Sequence, residues 1–163
     1  MDKILVTGGA GLIGSNVVKR FVELGYEVYV ADNLWRGKKE NLIQDKNFII
    51  DLDSNFHQVD LRNYEKCVEV SKNMDLVIHL ADIVAGINFV FANELFLYRS
   101  NIVMNSNMLD AAIKNNVKKY IYVGTACSYP EEMQSELKPP PFKEEDAYPA
   151  SPESSYGWSK LMG

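Results

Sequence analysis

Apolar runs alternate with amphipathic stretches along the chain, the rhythm of βαβ units on a parallel sheet. "KILVT" is a short continuous apolar run of strand length, and "EVYVAD" is a second. Between them, "LIGSNVVKRFVELG" repeats at helical period, with Ile13, Val17, Val18, Phe21 and Leu24 on one face and Gly25 as the C-terminal stop. "WRGKKENL" opens a loop and a short helix, and "FIIDLDSNFHQVDLRN" holds a third strand. "YEKCVEVSK" is helical, "DLVIHLA" is a buried strand, and "KKYIYVG" is the fifth strand. From about 88 to 116 the pattern predicts one helix of several turns. "KPPPFKEEDAYPASP" must be loop, because each proline removes a donor and restricts the residue before it. A last helix opens near Ser154. The expected fold class is α/β, a doubly wound parallel sheet.

Composition narrows the classes. A chain of 163 residues suits one domain with its own core. At 47% hydrophobic and 24% charged it is ordinary for a soluble α/β protein. No run approaches the roughly 18 apolar residues of a membrane span. The chain enters a strand at once, which leaves no room for a secretory leader, so the expected location is cytoplasmic. Cys67 and Cys127 lie in unlike contexts, against a disulfide framework. A net charge of −5 argues against a nucleic-acid or anionic-membrane surface. No metal site is expected.

"TGGAGLIGS" sets Gly8, Gly11 and Gly14 between the first strand and the first helix. Glycines there allow a tight turn, close approach of a pyrophosphate and close helix–strand packing. The helix N-terminus adds free N–H groups and partial positive charge. The expected fold is therefore Rossmann-type. Asp32 closes the second strand, where a carboxylate can accept hydrogen bonds from adenine ribose hydroxyls and repel a 2′-phosphate. The alternative is that it caps the turn with Asn33. Arg36 leaves NADP open, but NAD is favoured. Asp60 ends the third strand where an adenine amino group would lie, or else caps the next helix. His79, in "HLA" at the end of the fourth strand, reads as a packed strand-end histidine.

The chemistry concentrates in "GTACSYP" and "YGWSK". Tyr156 and Lys160 stand one helical turn apart and face the same way. An ammonium beside a phenol favours phenolate, which can take a proton from a sugar hydroxyl as hydride leaves. Thr125, at the end of the fifth strand, can hydrogen-bond the reacting oxygen.

With these motifs in this order, the sequence from Lys3 to its last residue resembles the extended short-chain dehydrogenase/reductases, the NAD-dependent nucleotide-sugar epimerase/dehydratase family. The resemblance implies that Gly8, Gly11 and Gly14, with Leu12 and Ile13, hold the pyrophosphate, and that Asp32 and Asn33 take the adenosine ribose. It places Asp60 and Leu61 at the adenine, Leu80 and Ala81 under the cofactor, and Tyr156 and Lys160 at both cofactor and substrate. Thr125, Tyr156 and Lys160 become the catalytic triad. "TACSYP", with Cys127 before Tyr129-Pro130, is similar to the GDP-mannose 3,5-epimerase and GDP-fucose synthase groups. Gly86 and Phe89 are similar to the first of these, while Asp82 stands where a small residue is usual. The residues alone favour Cys127 as a small buried hydrophobe. The resemblance favours an acid/base thiol that removes a proton beside a transient keto group. Cys67 is a core residue.

The resemblance further implies a GDP-sugar substrate and a homodimer through the long helix and the Tyr–Lys helix. The whole chain is expected to be the NAD-binding domain of a longer enzyme, cut after strand five, without turnover alone because a C-terminal substrate region is lacking. Two alternatives are a non-catalytic NAD-binding module and an extended reductase of a non-sugar carbonyl.

Overall fold

The structure, a computed structural model, describes residues 2–135, 139 and 141–163. Lys138 and Pro140 of the proline-rich loop lie outside the described residues. The strands are Lys3–Thr7 (β1), Glu27–Asp32 (β2), Ile43–Gln44 (β3), Asn47–Phe48 (β4), Phe56–Gln58 (β5), Leu76–His79 (β6) and Lys119–Tyr122 (β7). The helices are Leu12–Glu23 (α1), Tyr64–Ser71 (α2), Ile87–Ala92 (α3), Glu94–Lys114 (α4), Glu131–Gln134 (α5) and Ser155–Leu161 (α6). The chain divides into two compact units, Met1–Asp82 with Met104–Val123, and Ile83–Val103 with Gly124–Gly163.

The first unit is a Rossmann-type α/β layer. Five parallel strands run in the order β5-β2-β1-β6-β7, so the winding reverses between β1 and β6. Such a reversal opens a crevice at the carboxyl ends of the strands. Side chains alternate across the sheet. Ile4, Val6, Val28, Val30 and Ile78 join Val18 of α1, Leu42 and Phe56 in one cluster. Leu5 and Val77, which alternate away from it, are also fully buried. Both faces are therefore dry, which is why these strands read as continuous apolar runs. On α4, Met104, Met108, Ala111 and Ala112 form a buried stripe at helical spacing.

The hydrophobic pattern located all five strands of this sheet, and it misplaced three other features. The run expected as one helix from 88 to 116 is two, because Asn93 leaves helical geometry (φ −136°, ψ 33°). Its side chain donates to the Phe89 carbonyl at 3.0 Å, and its own carbonyl accepts from the Leu97 N–H at 2.9 Å. Asparagine competes for backbone groups in this way and so can end one helix and begin the next. On α1, Ile13 and Leu24 are exposed (66% and 54%), and the buried side is Gly14, Ser15 and Val18. Val17 and Phe21 of the expected face do pack against the core cluster with Val18, while the first turn lies against the glycine loop through Gly14 and Ser15 and leaves Ile13 outside. Thirdly, β3 and β4 pair as a hairpin whose turn residues Asp45 and Lys46 both take positive φ (49° and 69°). Strands of two residues carry no period to read.

The second unit is built from α3, the first half of α4, α5, α6 and single turns at Ala126–Ser128 and Glu144–Ala147. Thr125 is not the last residue of a strand, as expected. β7 ends at Tyr122, and Thr125 caps the Ala126–Ser128 turn.

Asp60 does not cap α2. Asn63 does, its Oδ1 accepting from the Lys66 N–H at 3.0 Å. Asn63→Ala should therefore lower the unfolding free energy by about 1 kcal/mol in urea denaturation, and Asp60→Ala should not reproduce that loss. A full-sized loss from Asp60→Ala with none from Asn63→Ala would reverse the assignment.

Candidate active site

In the first unit, the glycine loop is shaped by absent side chains. Gly8 sits at φ +68°, and a Cβ there would come within 2.9 Å of the Ala81 nitrogen. A Cβ on Gly14 would run into the Gly8 carbonyl. The loop closes through Gly8 N–H to Ala31 O (2.7 Å) and Gly11 N–H to Gly8 O (3.0 Å). Gly11 is the N-cap of α1 and provides no side-chain acceptor. The first-turn N–H groups of the helix, flanked by exposed Leu12 and Ile13, thus keep donor capacity for an anion. A backbone cradle of this kind fits a dinucleotide pyrophosphate.

Asp32 is buried at the end of β2 and works on the loop itself. Its Oδ2 accepts from the Ala10 N–H at 3.0 Å and its Oδ1 from the Leu34 N–H at 2.8 Å. A carboxylate has about four lone-pair directions, so these two bonds leave room for ribose hydroxyls. Asn33 is exposed, its Oδ1 accepting from the Trp35 N–H. Asp60 is committed to Arg62, which reaches it by Nε and Nη2 at 2.6–3.1 Å. That guanidinium holds the Asp60 carboxyl below the usual carboxylate range. Leu61 is buried, and its carbonyl accepts from the Cys67 thiol and the Asn107 amide. Cys67 is the core residue expected, its thiol pushed up to about 12 by burial. The Leu80 and Ala81 N–H groups both donate to Thr7 Oγ1 at 3.2 Å.

In the second unit, Tyr156 and Lys160 share α6, with Lys160 buried. Ser154 caps this helix, its Oγ accepting from the Gly157 N–H at 3.3 Å. The helix lies against the turn that carries the other two predicted groups. A Cβ on Gly157 would strike the Cys127 carbonyl, and Ser128 Oγ donates to the Gly157 carbonyl at 3.4 Å. Within that turn the Cys127 N–H donates to Thr125 Oγ1 at 3.3 Å, and the Cys127 side chain is exposed. The buried-hydrophobe reading of Cys127 is thereby overturned.

Of the predicted site residues, Thr125, Cys127, Tyr156 and Lys160 fall together in the second unit, and Gly8 to Ala81 fall in the first. Sequence reasoning missed what holds α6. Asn101, fully buried on α4, accepts from the Ile83 N–H at 2.8 Å and donates to the Ile83 carbonyl at 3.2 Å. It also donates to Ser159 Oγ at 3.3 Å, and Ser159 in turn donates to the Tyr156 carbonyl at 2.8 Å. The signal was available in "RSNIVMNSNM", where Ser100, Asn101 and Asn105 occupy buried positions on an otherwise apolar helix. Buried polar residues rarely lack a specific partner.

The chain belongs to the NAD-dependent epimerase/dehydratase family, whose pattern matches residues 4–163. It is 36% identical to a GDP-mannose 3,5-epimerase of Arabidopsis thaliana over 98% of its length and 40% of the relative's. To a UDP-glucose 4-epimerase of Dictyostelium discoideum it is 32% identical, over 98% of this chain and 44% of that one. Among solved structures, it resembles the UDP-glucose 4-epimerase of Thermotoga maritima with UDP-glucose (TM-score 0.79, 31% identity, 97% of this chain and 47% of that one). It also resembles the NAD complex of the Thermus thermophilus UDP-glucose 4-epimerase (TM-score 0.75, 30% identity, 98% and 47%). The chain thus spans somewhat under half the length of the relatives it matches. NAD is the cofactor of the family, and the glycine cradle fits it.

Asn101→Ala should cost about 1–3 kcal/mol, since it strands the buried N–H and C=O of Ile83. Chemical denaturation reads this directly. A loss no larger than that of an exposed control such as Asn16→Ala would show that Ile83 finds other partners.

Proposed function

We propose that the whole protein carrying this chain is an NAD-dependent nucleotide-sugar epimerase that oxidises its substrate transiently at C4 and exchanges protons at neighbouring carbons. The observation that carries this reading is the exposed Cys127 thiol, set in the Thr125 turn against which Gly157 of the Tyr156–Lys160 helix packs. When bound, NAD supplies a reversible hydride acceptor. Lys160 favours the phenolate of Tyr156, which takes the C4 hydroxyl proton as hydride leaves that carbon. Thr125 donates a hydrogen bond to the same oxygen. The resulting ketone acidifies the C3 and C5 protons, and Cys127 removes or returns one of them as a general acid/base. Asp32 takes the adenosine ribose, read out as tighter binding of NAD than of NADP; equal or tighter NADP binding overturns it. A GDP-sugar is favoured as substrate, supported by the similarity to the Arabidopsis enzyme.

In the whole protein, Tyr156→Phe should slow turnover roughly 10²–10⁴-fold. Cys127→Ala should leave C4 oxidation in place and stop deuterium from solvent entering the sugar at C3 or C5, followed by NMR. Deuterium entering at the wild-type rate would reduce Cys127 to packing. An inert wild-type protein against GDP-, UDP- and dTDP-sugars would remove the epimerase reading altogether.

The partner we favour is a second copy of the same chain, meeting through α4 and α6. Leu95 and Phe96 of α4, Trp158 of α6 and Met162 just after it are exposed large apolar residues. Apolar side chains in that number on two helices are beyond what a solvated face needs. Light scattering of the whole protein should give a dimer, which Leu95→Glu with Phe96→Glu converts to monomer. A wild-type monomer at micromolar concentration refutes it.

A further inference from the structure

His79 is fully buried, yet both of its ring nitrogens are hydrogen-bonded. It is the last residue of β6, directly opposite Thr7 of β1 across the strand pair. Its Nδ1 lies 2.8 Å from Thr7 Oγ1, and its Nε2 lies 3.0 Å from Asn105 Oδ1. Asn105 Nδ2 then donates to the Tyr122 hydroxyl at 3.1 Å. The rings of Tyr120 and Tyr122 flank the imidazole at centroid distances of 6.0 and 6.2 Å. With no exposed surface, His79 has no route to a substrate and is not a catalytic residue.

Proton counting points these bonds in one direction. Thr7 Oγ1 accepts from the Ala81 N–H at 3.2 Å and shares the Leu80 N–H with the Thr7 carbonyl, each at 3.2 Å. With the hydroxyl's lone pairs turned to these N–H groups, its one proton is left for His79 Nδ1. Nδ1 is therefore bare, and a neutral imidazole must carry its proton on Nε2. That N–H meets the oxygen of Asn105 at 3.0 Å, in keeping with the Asn105 NH₂ donating to Tyr122. Burial and the Asp82 carboxylate push the Tyr122 phenol up to about 12, so it remains a hydroxyl.

The upstream end of this chain of bonds is the dinucleotide cradle. Thr7 precedes Gly8, and the Leu80–Ala81 backbone held by its Oγ1 is the wall that a Cβ on Gly8 would meet at 2.9–3.1 Å. We propose that His79 is a positioning residue for dinucleotide binding, held as the neutral Nε2–H tautomer so that Thr7 can clamp the ends of β1 and β6 around Gly8. If Nδ1 carried a proton, Thr7 Oγ1 would face three donors with two lone pairs; Leu80 would fall back on the Thr7 carbonyl, and the grip of Oγ1 on the Leu80–Ala81 backbone would loosen. The proposal rests on NAD binding at the glycine loop.

Two measurements test it. ¹⁵N–¹H correlation NMR of the cofactor-free protein at neutral pH should show His79 with a protonated Nε2 and an acceptor Nδ1. The Nδ1–H tautomer or an imidazolium overturns the proposal without any variant being made. NAD titration by calorimetry should show His79→Phe, which keeps a ring without nitrogens, weakened roughly tenfold or more. His79→Gln, which can accept from Thr7 and donate to Asn105, should recover part of that loss. NAD binding by a folded His79→Phe protein as tight as wild type sinks the positioning role. If His79→Phe does not fold, His79→Gln decides: Nδ1-side acceptance predicts binding within severalfold of wild type, and loss as complete as in Thr7→Val overturns the argument. A wild-type protein that binds no NAD fails the site reading itself and removes the positioning role with it, an outcome the tautomer measurement keeps separate.

Discussion

A parallel sheet covered on both faces keeps water away from the backbone where the strands end, and the described structure is organised around that constraint. Strand ends must turn, and turning frees N–H and C=O groups that the ladder no longer pairs. Each free group then needs a side chain. Asp32 accepts from Ala10 and Leu34, Thr7 from Leu80 and Ala81. In the second unit Asn101 answers both polar groups of Ile83. Asn115 does the same for the last turns of α2, donating to the Val68 carbonyl and to Ser71 Oγ at 2.8 Å. These bonds contribute modestly one by one, but leaving their partners buried and unpaired costs more than the bond is worth.

The same constraint explains why the site chemistry sits on rigid supports. In the glycine loop, backbone meets backbone so closely at Gly8 and Gly14 that a ligand's phosphates have only N–H groups to address. In the second unit, Gly157 lets α6 rest on the Cys127 carbonyl, and with the Ser128 bond to its own carbonyl it sets the Tyr156–Lys160 helix against the Thr125–Cys127 turn. Asp32 shows that a structural role can leave room for a binding one. Its two backbone bonds lock the loop and leave lone pairs over, whereas the Asp60 carboxylate is taken up by a neighbouring guanidinium.

His79 and Asn101 illustrate how polar groups in a dry interior acquire specificity. Each has donors and acceptors placed around it by distant parts of the chain. Such networks rigidify the backbone they touch, because any rearrangement strands a partner.

Much of this was legible in the sequence. Continuous apolar runs located β1, β2 and β6, since strands buried on both faces need no alternation, and the aromatic run of "KKYIYVG" located the edge strand β7. The glycine spacing located the dinucleotide loop, and the four-residue step between Tyr156 and Lys160 put both on one face of α6. What the sequence could not decide was which polar side chain answers which backbone group. Asn93 breaking the long helix, Asn63 rather than Asp60 capping α2, and the exposure of Cys127 all depend on neighbours far off in the chain or on local bonds with several contenders. Burial and periodicity are properties of a segment and can be read along it; hydrogen-bond partnership is a property of what the fold brings within 3 Å, and only the tertiary structure sets that.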